Sequence, residues 1–209
     1  VLMTGISLTA GVANITGNTI ANMSGTNTGT TARTRGIYHT SGADSVKITN
    51  NTIHDLTSMS GVLAGFTAGS QAAVGISTWP GSTFYYHEVT GNTIYNISAE
   101  NTHANATTTV SAGMFLTNFT GPCTNNKIYN IRNKATGVIA GQSPVAAGIY
   151  TRFLADGYVV NNMISIGKGE NTNTQFSGVH MMGNSSVGNN NYFYNNSIAV
   201  SGTAGGTIS

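Results

Sequence analysis

Six carboxylates are the side chains of this chain best suited to acid–base chemistry. A glycosidase needs two of them about 5 to 9.5 Å apart, and a calcium site needs several oxygen ligands that converge on one point. When the repeats described below are aligned, no two carboxylates fall in the same column of neighbouring repeats. We therefore expect neither a catalytic carboxylate pair nor a calcium site. The six are Asp44, Asp55, Glu88, Glu100, Asp156 and Glu170.

The five histidines are also dispersed along the chain. His87 and His103 are expected in or beside loops, whereas His39 and His180 follow a Gly-Ile or Gly-Val pair at different offsets and should face different ways. No pair among these or His54 has the spacing of metal ligands. The many Ser and Thr residues lack a motif that would pair them with a base. The sequence thus predicts no metal, no cofactor and no enzymatic activity.

Two carboxylates and the single cysteine have structural interpretations instead. Glu88 lies in an outward position beside Lys47 of the preceding repeat, which predicts a surface ion pair. Asp55 lies between Asn residues of the two neighbouring repeats, which favours a place in a polar ladder. Cys123 stands where the other repeats carry Ile, Val or Phe, so we interpret it as a buried hydrophobe rather than a reactive or intermolecular thiol.

The densest aromatic stretch runs over residues 79–86. A Pro-Gly pair within it predicts a loop. Exposed aromatic side chains can stack on sugar rings or form a contact between subunits, and a loop that folds back over its own repeat is the third interpretation. The candidate contact or carbohydrate patch consists of Trp79, Phe84, Tyr85 and Tyr86.

Other aromatic residues occupy equivalent outward positions of neighbouring repeats. We expect Tyr95 to stack on Tyr129, and Phe115 on Tyr150, because such cross-strand pairs stabilise the face of a sheet. A column of four Thr residues breaks at Val160 and Tyr194, which argues against the regular Thr array of an ice-binding protein.

Several Asn-x-Ser/Thr triplets are possible glycosylation sites. Most of them lie where the repeat requires a structural Asn. Asn105, in an expected loop, is the best candidate acceptor, and Thr107, Thr108 and Thr109 are candidates for O-linked sugar.

A repeat of about 33 to 41 residues positions all these side chains. Six times an Ile follows an Asn by two residues, and we number the repeats units 1 to 6 accordingly. Units of this length bury their apolar face only against their neighbours, so function belongs on a stack rather than in a globular cleft. The pairs are Asn18 and Ile20, Asn51 and Ile53, Asn92 and Ile94, Asn126 and Ile128, Asn162 and Ile164, and Asn196 and Ile198.

Three apolar columns run through the units, and alternation around them is typical of β-strands. The repeated Ile residues form one column. A second lies three residues before the Asn: Ile15, Ile48, Val89, Cys123, Val159 and Phe193. A third follows a Gly: Ile6, Ile37, Ile76, Met114, Ile149 and Val179. Only Gly or Asn precedes the repeated Asn, and both types accept a left-handed backbone, which predicts a sharp bend. The pattern predicts an all-β, single-stranded parallel β-helix (solenoid) of about six coils, each with three short strands, and an Asn ladder.

This pattern resembles the right-handed parallel β-helix superfamily of pectate lyases, polygalacturonases and phage tailspikes, whose members often carry an internal Asn ladder. Phrases such as Gly36-Ile37-Tyr38 and Asn92-Thr93-Ile94 look like those of long Thr/Asn-rich surface proteins of Bacteroidetes-type bacteria. The resemblance implies a right-handed coil, secretion, and a structural or adhesive role. The clustered Asp, Gly-His-Gly and Arg-Ile-Lys segments of the family's hydrolases are not present, nor is the carboxylate cluster of its lyases.

Composition excludes other classes of partner. Only 7% of residues are charged and the net charge is +2, which gives no electrostatic footprint for nucleic acid. No apolar stretch approaches the roughly 20 residues that cross a bilayer, and no signal peptide opens the chain. Because the first residues are Val1 and Leu2, we expect a processed or excerpted chain.

The repeat extends from the first residues to the last, which predicts one solenoid domain, 1–209, without caps at either end. Uncapped solenoid ends expose unpaired backbone groups. Either the chain is a segment of a longer solenoid, or successive chains stack head to tail as an open filament. We expect an extracellular or cell-surface structural protein, a unit of a fibre, filament or adhesin stalk. The alternative is a carbohydrate-binding or polysaccharide-degrading β-helix module that contacts surface glycans.

Overall fold

The structure of the chain, a computed structural model, describes residues 2–29, 32–40, 45–60, 71–79, 85–101, 110–134, 145–172, 174–182 and 190–204. These residues form strands and no helix, and therefore no helix that could cross a membrane. The strands pair in parallel throughout.

The strands stack in three columns. The first column contains β1 (Leu2–Leu8), β4 (Arg33–Thr40), β7 (Gln71–Trp79), β10 (Val110–Thr124), β12 (Val145–Val160) and β15 (Gln175–Met182). The second contains β2 (Ala13–Thr16), β5 (Ser45–Thr49), β8 (Tyr85–Thr90), the later parts of β10 and β12, and β16 (Tyr192–Tyr194). The third contains β3 (Thr19–Gly25), β6 (Thr52–Ser58), β9 (Thr93–Ala99), β11 (Lys127–Asn133), β13 (Met163–Ile166) and β17 (Ser197–Val200). A small separate sheet pairs β14 (Asn171–Thr172) with β18 (Thr203–Ala204).

The predicted all-β parallel solenoid is confirmed, and equivalent residues of successive units lie opposite each other, as Ile53, Ile94 and Ile128 do. Two details differ from the prediction. In units 4 and 5 the first two strands are fused into β10 and β12, where Asn118 (φ 47°) and Asp156 (φ 51°) adopt left-handed backbone within the strand. In addition, the structure has about four turns rather than the six coils predicted: units 2 to 5 have a neighbour on both sides among the described residues, and units 1 and 6 lie at the ends.

The bend before each repeated Asn is left-handed, as the Gly and Asn residues there predict. The six residues are Gly17 (φ 69°), Asn50 (56°), Gly91 (70°), Asn125 (57°), Asn161 (56°) and Asn195 (57°). This turn separates the second and third columns, so the repeated Asn points into the coil just after the chain changes direction.

The interior is narrow because a Gly of the first column faces the repeated Ile of the third column. A Cβ on Gly75 would lie 2.6 Å from Ile94 Cγ2 and 2.6 Å from the carbonyl oxygen of Gly113 in the next unit. The other five units repeat the Gly–Ile contact. Ile94 is completely buried there, and full burial of such a side chain contributes about 1.5 to 3 kcal/mol. The Gly that marks the first strand in the sequence is thus a packing requirement.

Candidate functional site

An internal ladder of Asn side chains follows the bend. The Asn92 backbone N–H donates to Asn126 Oδ1 at 2.9 Å, and Asn92 Nδ2 donates to the same oxygen at 3.0 Å and to the Ile48 carbonyl at 2.8 Å. Asn51, Asn126 and Asn162 repeat this pattern. Because these amides are at most 1% exposed, each bond satisfies a group that would otherwise be buried without a partner.

The ladder has a direction, and its two ends differ. At every step the backbone N–H and Nδ2 of one Asn donate to Oδ1 of the Asn in the following unit. Asn196 accepts both bonds from Asn162 at 3.0 Å, but among the described residues its own backbone N–H has no acceptor. Asn18 donates to Asn51, while its Oδ1 receives no donor from the described part of the chain. One end therefore presents donors and the other an acceptor.

A second polar ladder lies on the outside of the third column. Its members in units 1 to 4 share a left-handed backbone, with φ between 54° and 58°: Asn22, Asp55, Asn96 and Asn130. Asn96 Nδ2 donates to Asp55 Oδ1 at 2.7 Å, and Asn130 Nδ2 donates to Asn96 Oδ1 at 2.5 Å. Hydrogen bonds from His54 and then Asn96 lower the pKa of Asp55. The ladder position predicted for Asp55 is confirmed.

Ion pairs link neighbouring units on the surface, and the predicted pair of Lys47 with Glu88 is confirmed. Because these side chains are partly exposed, solvent screens the pairs and each adds little to stability. The ion pairs are Lys47–Glu88 (3.0 Å), Lys134–Glu100 (2.6 Å) and Arg132–Glu170 (2.8 Å).

Within the described ranges no three His, Cys, Asp or Glu side chains lie close enough together to hold a metal ion.

Two of the histidines form a buried pair, so the expectation of dispersed histidines is wrong for them. His87 lies within β8, not in a loop, and His87 Nε2 lies 3.0 Å from His39 Nδ1. His87 Nδ1 donates to the Tyr85 carbonyl at 2.9 Å, so His87 Nε2 accepts from His39 Nδ1–H. His39 Nε2 is buried without a partner. Burial lowers the pKa of His87 to about 4 and also lowers that of His39.

The alternation of inward and outward side chains along the strands predicts that both histidines point into the coil. His39 lies two residues after the buried Ile37, and His87 lies two residues before the buried Val89, so each shares the inward parity of its neighbour. The distance between the two imidazoles depends on how the first and second columns meet across the core, which alternation does not specify.

Cys123 is a buried thiol, as the column alignment predicts. Its side chain is fully buried and its Sγ lies 3.8 Å from Met114 Sδ. Burial raises its pKa to about 12, so the thiol stays protonated and behaves as a small apolar side chain.

Aromatic rings stack between units on both predicted columns. Tyr95 and Tyr129 lie 4.8 Å apart with an interplanar angle of 2°, and His54 extends that stack at 4.7 Å from Tyr95. Phe115 and Tyr150 also lie 4.8 Å apart, and both are nearly completely buried. Both stacking predictions are confirmed.

The outer stack stops at Tyr129, and a groove of about 570 Å³ begins there. Ser165 lies opposite Tyr129 in unit 5, and Ala199 follows in unit 6. Met163 and Lys127 also line the groove. The change from aromatic to small residues along one column is visible in the aligned sequence, but on its own it does not indicate a cavity.

No protein family, curated protein or solved structure matches this chain. The likeness to the pectate-lyase-like superfamily and to bacterial surface proteins therefore stays a resemblance of pattern, and the right-handed sense of the coil stays a prediction.

The predicted aromatic patch is only partly described. Trp79 ends β7, is half-buried and packs against an apolar cluster that includes Phe115 and Tyr150. Tyr85 and Tyr86 begin β8, and Tyr86 is 46% exposed. The prediction of a loop is therefore wrong for Trp79, Tyr85 and Tyr86, which lie in strands. Phe84 and residues 80–83 lie outside the described residues. Whether this patch binds a sugar or a subunit stays a prediction.

The candidate glycosylation sites Asn105, Thr107, Thr108 and Thr109 also lie outside the described residues. Asp44 and His103 do so as well. Their assignments stay predictions.

Proposed function

We propose that this chain is a structural β-solenoid, a unit of an extracellular fibre, filament or adhesin stalk that another solenoid continues end to end. The continuing solenoid is a second copy or a flanking set of repeats. The observation that carries the proposal is the polarity of the internal ladder. The donors of Asn196 match the acceptor of Asn18, so an added unit in register repeats the bonds found at each internal step.

The apolar columns at the same end favour continuation. Phe193, Ile198 and Val200 are 39%, 47% and 47% exposed. Their counterparts in unit 5 are at most 2% exposed, because unit 6 covers them. A further unit in register would bury these side chains in the same way, and burial of apolar area drives such association.

The ladders and ion pairs between units suit a long stiff element, since each unit is held to its neighbours by bonds of the same kind. The extracellular location rests on the resemblance of the Asn- and Thr-rich repeats to secreted surface proteins.

Light scattering over a range of protein concentrations, with electron microscopy of the same samples, tests end-to-end assembly. We expect elongated particles that lengthen with concentration. Val200→Lys should suppress them, because it places a charge on the open end. Ala199→Lys is the matched control, since Ala199 alternates with Val200 along β17 and lines the outer groove instead of the open end. A monodisperse 21.5 kDa species at high concentration would refute assembly by this chain alone.

Carbohydrate binding is the second candidate function. Tyr158 and Tyr192 stack at 4.8 Å on the surface and are 41% and 38% exposed, and exposed tyrosines offer an apolar face with a polar tip to a sugar. A glycan array tests it: binding that is lost in Tyr158→Ala or Trp79→Ala supports this function, and an array without binding dismisses it.

A further inference from the structure

The outer aromatic stack ends on an open ring. One face of Tyr129 lies on Tyr95 at 4.8 Å, and the following position of the column holds Ser165. The hydroxymethyl side chain of Ser165 leaves room where a third Tyr ring would continue the stack. A ring placed against Tyr129 would thus lie over Ser165, at the spacing already present between His54 and Tyr95.

The groove that begins at this position has the size of a small-molecule site. Its volume of about 570 Å³ lies within the roughly 300 to 1,000 Å³ usual for such sites. Met163 and Ala199 give it an apolar lining, and Ser165 and Ser197 supply the hydroxyl groups. A sugar would bring many hydroxyl groups into a groove with few polar partners, and unpaired polar groups cost affinity.

The groove also has a charge. Lys127 Nζ lies 5.9 Å from the centre of the Tyr129 ring. Lys127 is exposed, and within the described residues it has no carboxylate partner. None of the residues that line the groove is acidic. An anionic group on the ligand would complement this ammonium group.

We propose that the groove beside Tyr129 binds a small planar aromatic carboxylate of one or two rings. The ligand ring continues the stack of His54, Tyr95 and Tyr129, and its carboxylate pairs with Lys127. The ring position itself lies on the outer face of units 4 and 5, and the groove extends from there to Ser197 and Ala199 of unit 6.

Titration of the folded chain with 2-naphthoate, followed by NMR, tests this site. We expect saturable, about millimolar binding, with shifts concentrated at Tyr129, Ser165 and Ala199. Two matched probes separate the contributions of ring and charge. Cyclohexanecarboxylate keeps the charge without the aromatic ring, and 2-naphthalenemethanol keeps the ring without the charge. Each should bind about threefold to tenfold more weakly than 2-naphthoate, because it lacks one of the two contacts.

Variants of the same column provide the structural control. Ser165→Tyr fills the open position and should abolish binding while the thermal unfolding temperature is unchanged or higher. Ala21→Tyr adds a ring at the opposite end of the stack, next to His54, and should leave binding intact. Lys127→Gln should remove the preference for the carboxylate over the neutral probe.

Three outcomes would overturn the proposal. They are undiminished binding in Ser165→Tyr, equal affinity for cyclohexanecarboxylate, and displacement of 2-naphthoate by oligosaccharides at lower concentrations than by other aromatic carboxylates. The last outcome would instead identify a glycan site.

Discussion

The inner and outer sides of the third-column sheet follow different rules. Inside, the same Asn and the same Ile recur in all six units, and the Asn amides of the enclosed units are at most 1% exposed. Outside, the amide ladder and the aromatic stack continue only to unit 4, where Asn130 and Tyr129 end them. Units 5 and 6 then present Ser165, Ala199 and an exposed Met163.

This difference separates what specifies the fold from what varies on it. The repeated Asn and Ile positions have little freedom, because the buried amide needs its partner in the next unit and the Ile packs against a Gly of the first column. A side chain at an outward position can form its hydrogen bonds with water and needs only to fit beside the side chain of the neighbouring unit. The surface of units 5 and 6 can therefore differ from that of units 1 to 4 while the coil continues.

The largest effect is expected from an amide-to-acid change in the inner ladder, measured against the same change in the outer ladder. Asn92→Asp should lower the free energy of unfolding by about 3 to 5 kcal/mol, because it places a buried charge against the Ile48 carbonyl and Asn126 Oδ1. Asn130→Asp lies on the half-buried outer ladder beside Arg132 and should cost less than about 1 kcal/mol. Urea unfolding at pH 7 measures both. Equal losses would contradict the distinction between the two ladders.

The Gly–Ile contact across the core is the next test. Gly75→Ala should cost about 1 to 3 kcal/mol, because the added methyl meets Ile94 and a backbone carbonyl at 2.6 Å. The control is Gly157→Ala, where the nearest atom to the added methyl, Leu154 Cδ2, lies 3.4 Å away. It should change stability by less than about 0.5 kcal/mol. If Gly75→Ala behaved like the control, the coil would be wider than the structure has it.

The buried histidines predict a pH dependence of stability. Burial lowers the pKa of His87 from 6.5 to about 4 in the folded chain, so the unfolded chain binds more protons between these values. Stability should be complete above about pH 6.5 and fall by about 2 kcal/mol between pH 7 and pH 5. Urea unfolding across this range measures it. The double variant His39→Leu, His87→Phe should flatten the curve, and a slope that persists in the variant would assign it to other groups.

The smallest effect concerns the aromatic stack. Tyr95→Leu keeps an apolar side chain but interrupts the contacts with His54 and Tyr129, so it should cost about 0.5 to 1 kcal/mol. Ser165→Tyr should stabilise the chain by a similar amount, because it extends the stack into unit 5. Thermal unfolding of the two variants gives the sign of each change. If both variants were stabilised, or both destabilised, ring stacking between units would not be the cause of the stability changes.

Much of the fold could be predicted from the sequence because the same physical constraint recurs in every unit. The Asn and Ile spacing predicts the ladder, and the Gly or Asn before each repeated Asn predicts its left-handed bend. Outward pairs such as Lys47 with Glu88 follow from the same alignment, since neighbouring units share a register.

Contacts across the coil could not be predicted in this way. Alternation assigns His39 and His87 to the interior, but their contact depends on the shape of the cross-section. The same holds for Gly75 against Ile94, where the sequence marks the strand and not the close approach. In β10 and β12 the first two strands are fused through left-handed residues inside the strand, such as Asn118. The aligned repeats do not predict a left-handed residue at that position.

Hydrogen exchange of the Asn amides, measured by NMR, tests the ladder most directly. The backbone and Nδ2 protons of Asn92 and Asn126 should exchange only through global unfolding, because both groups are buried and bonded to the next unit. The backbone proton of Asn196 in the unassembled chain should exchange much faster. Exchange of Asn92 at the rate of Asn196 would contradict a continuous, buried ladder in the solenoid.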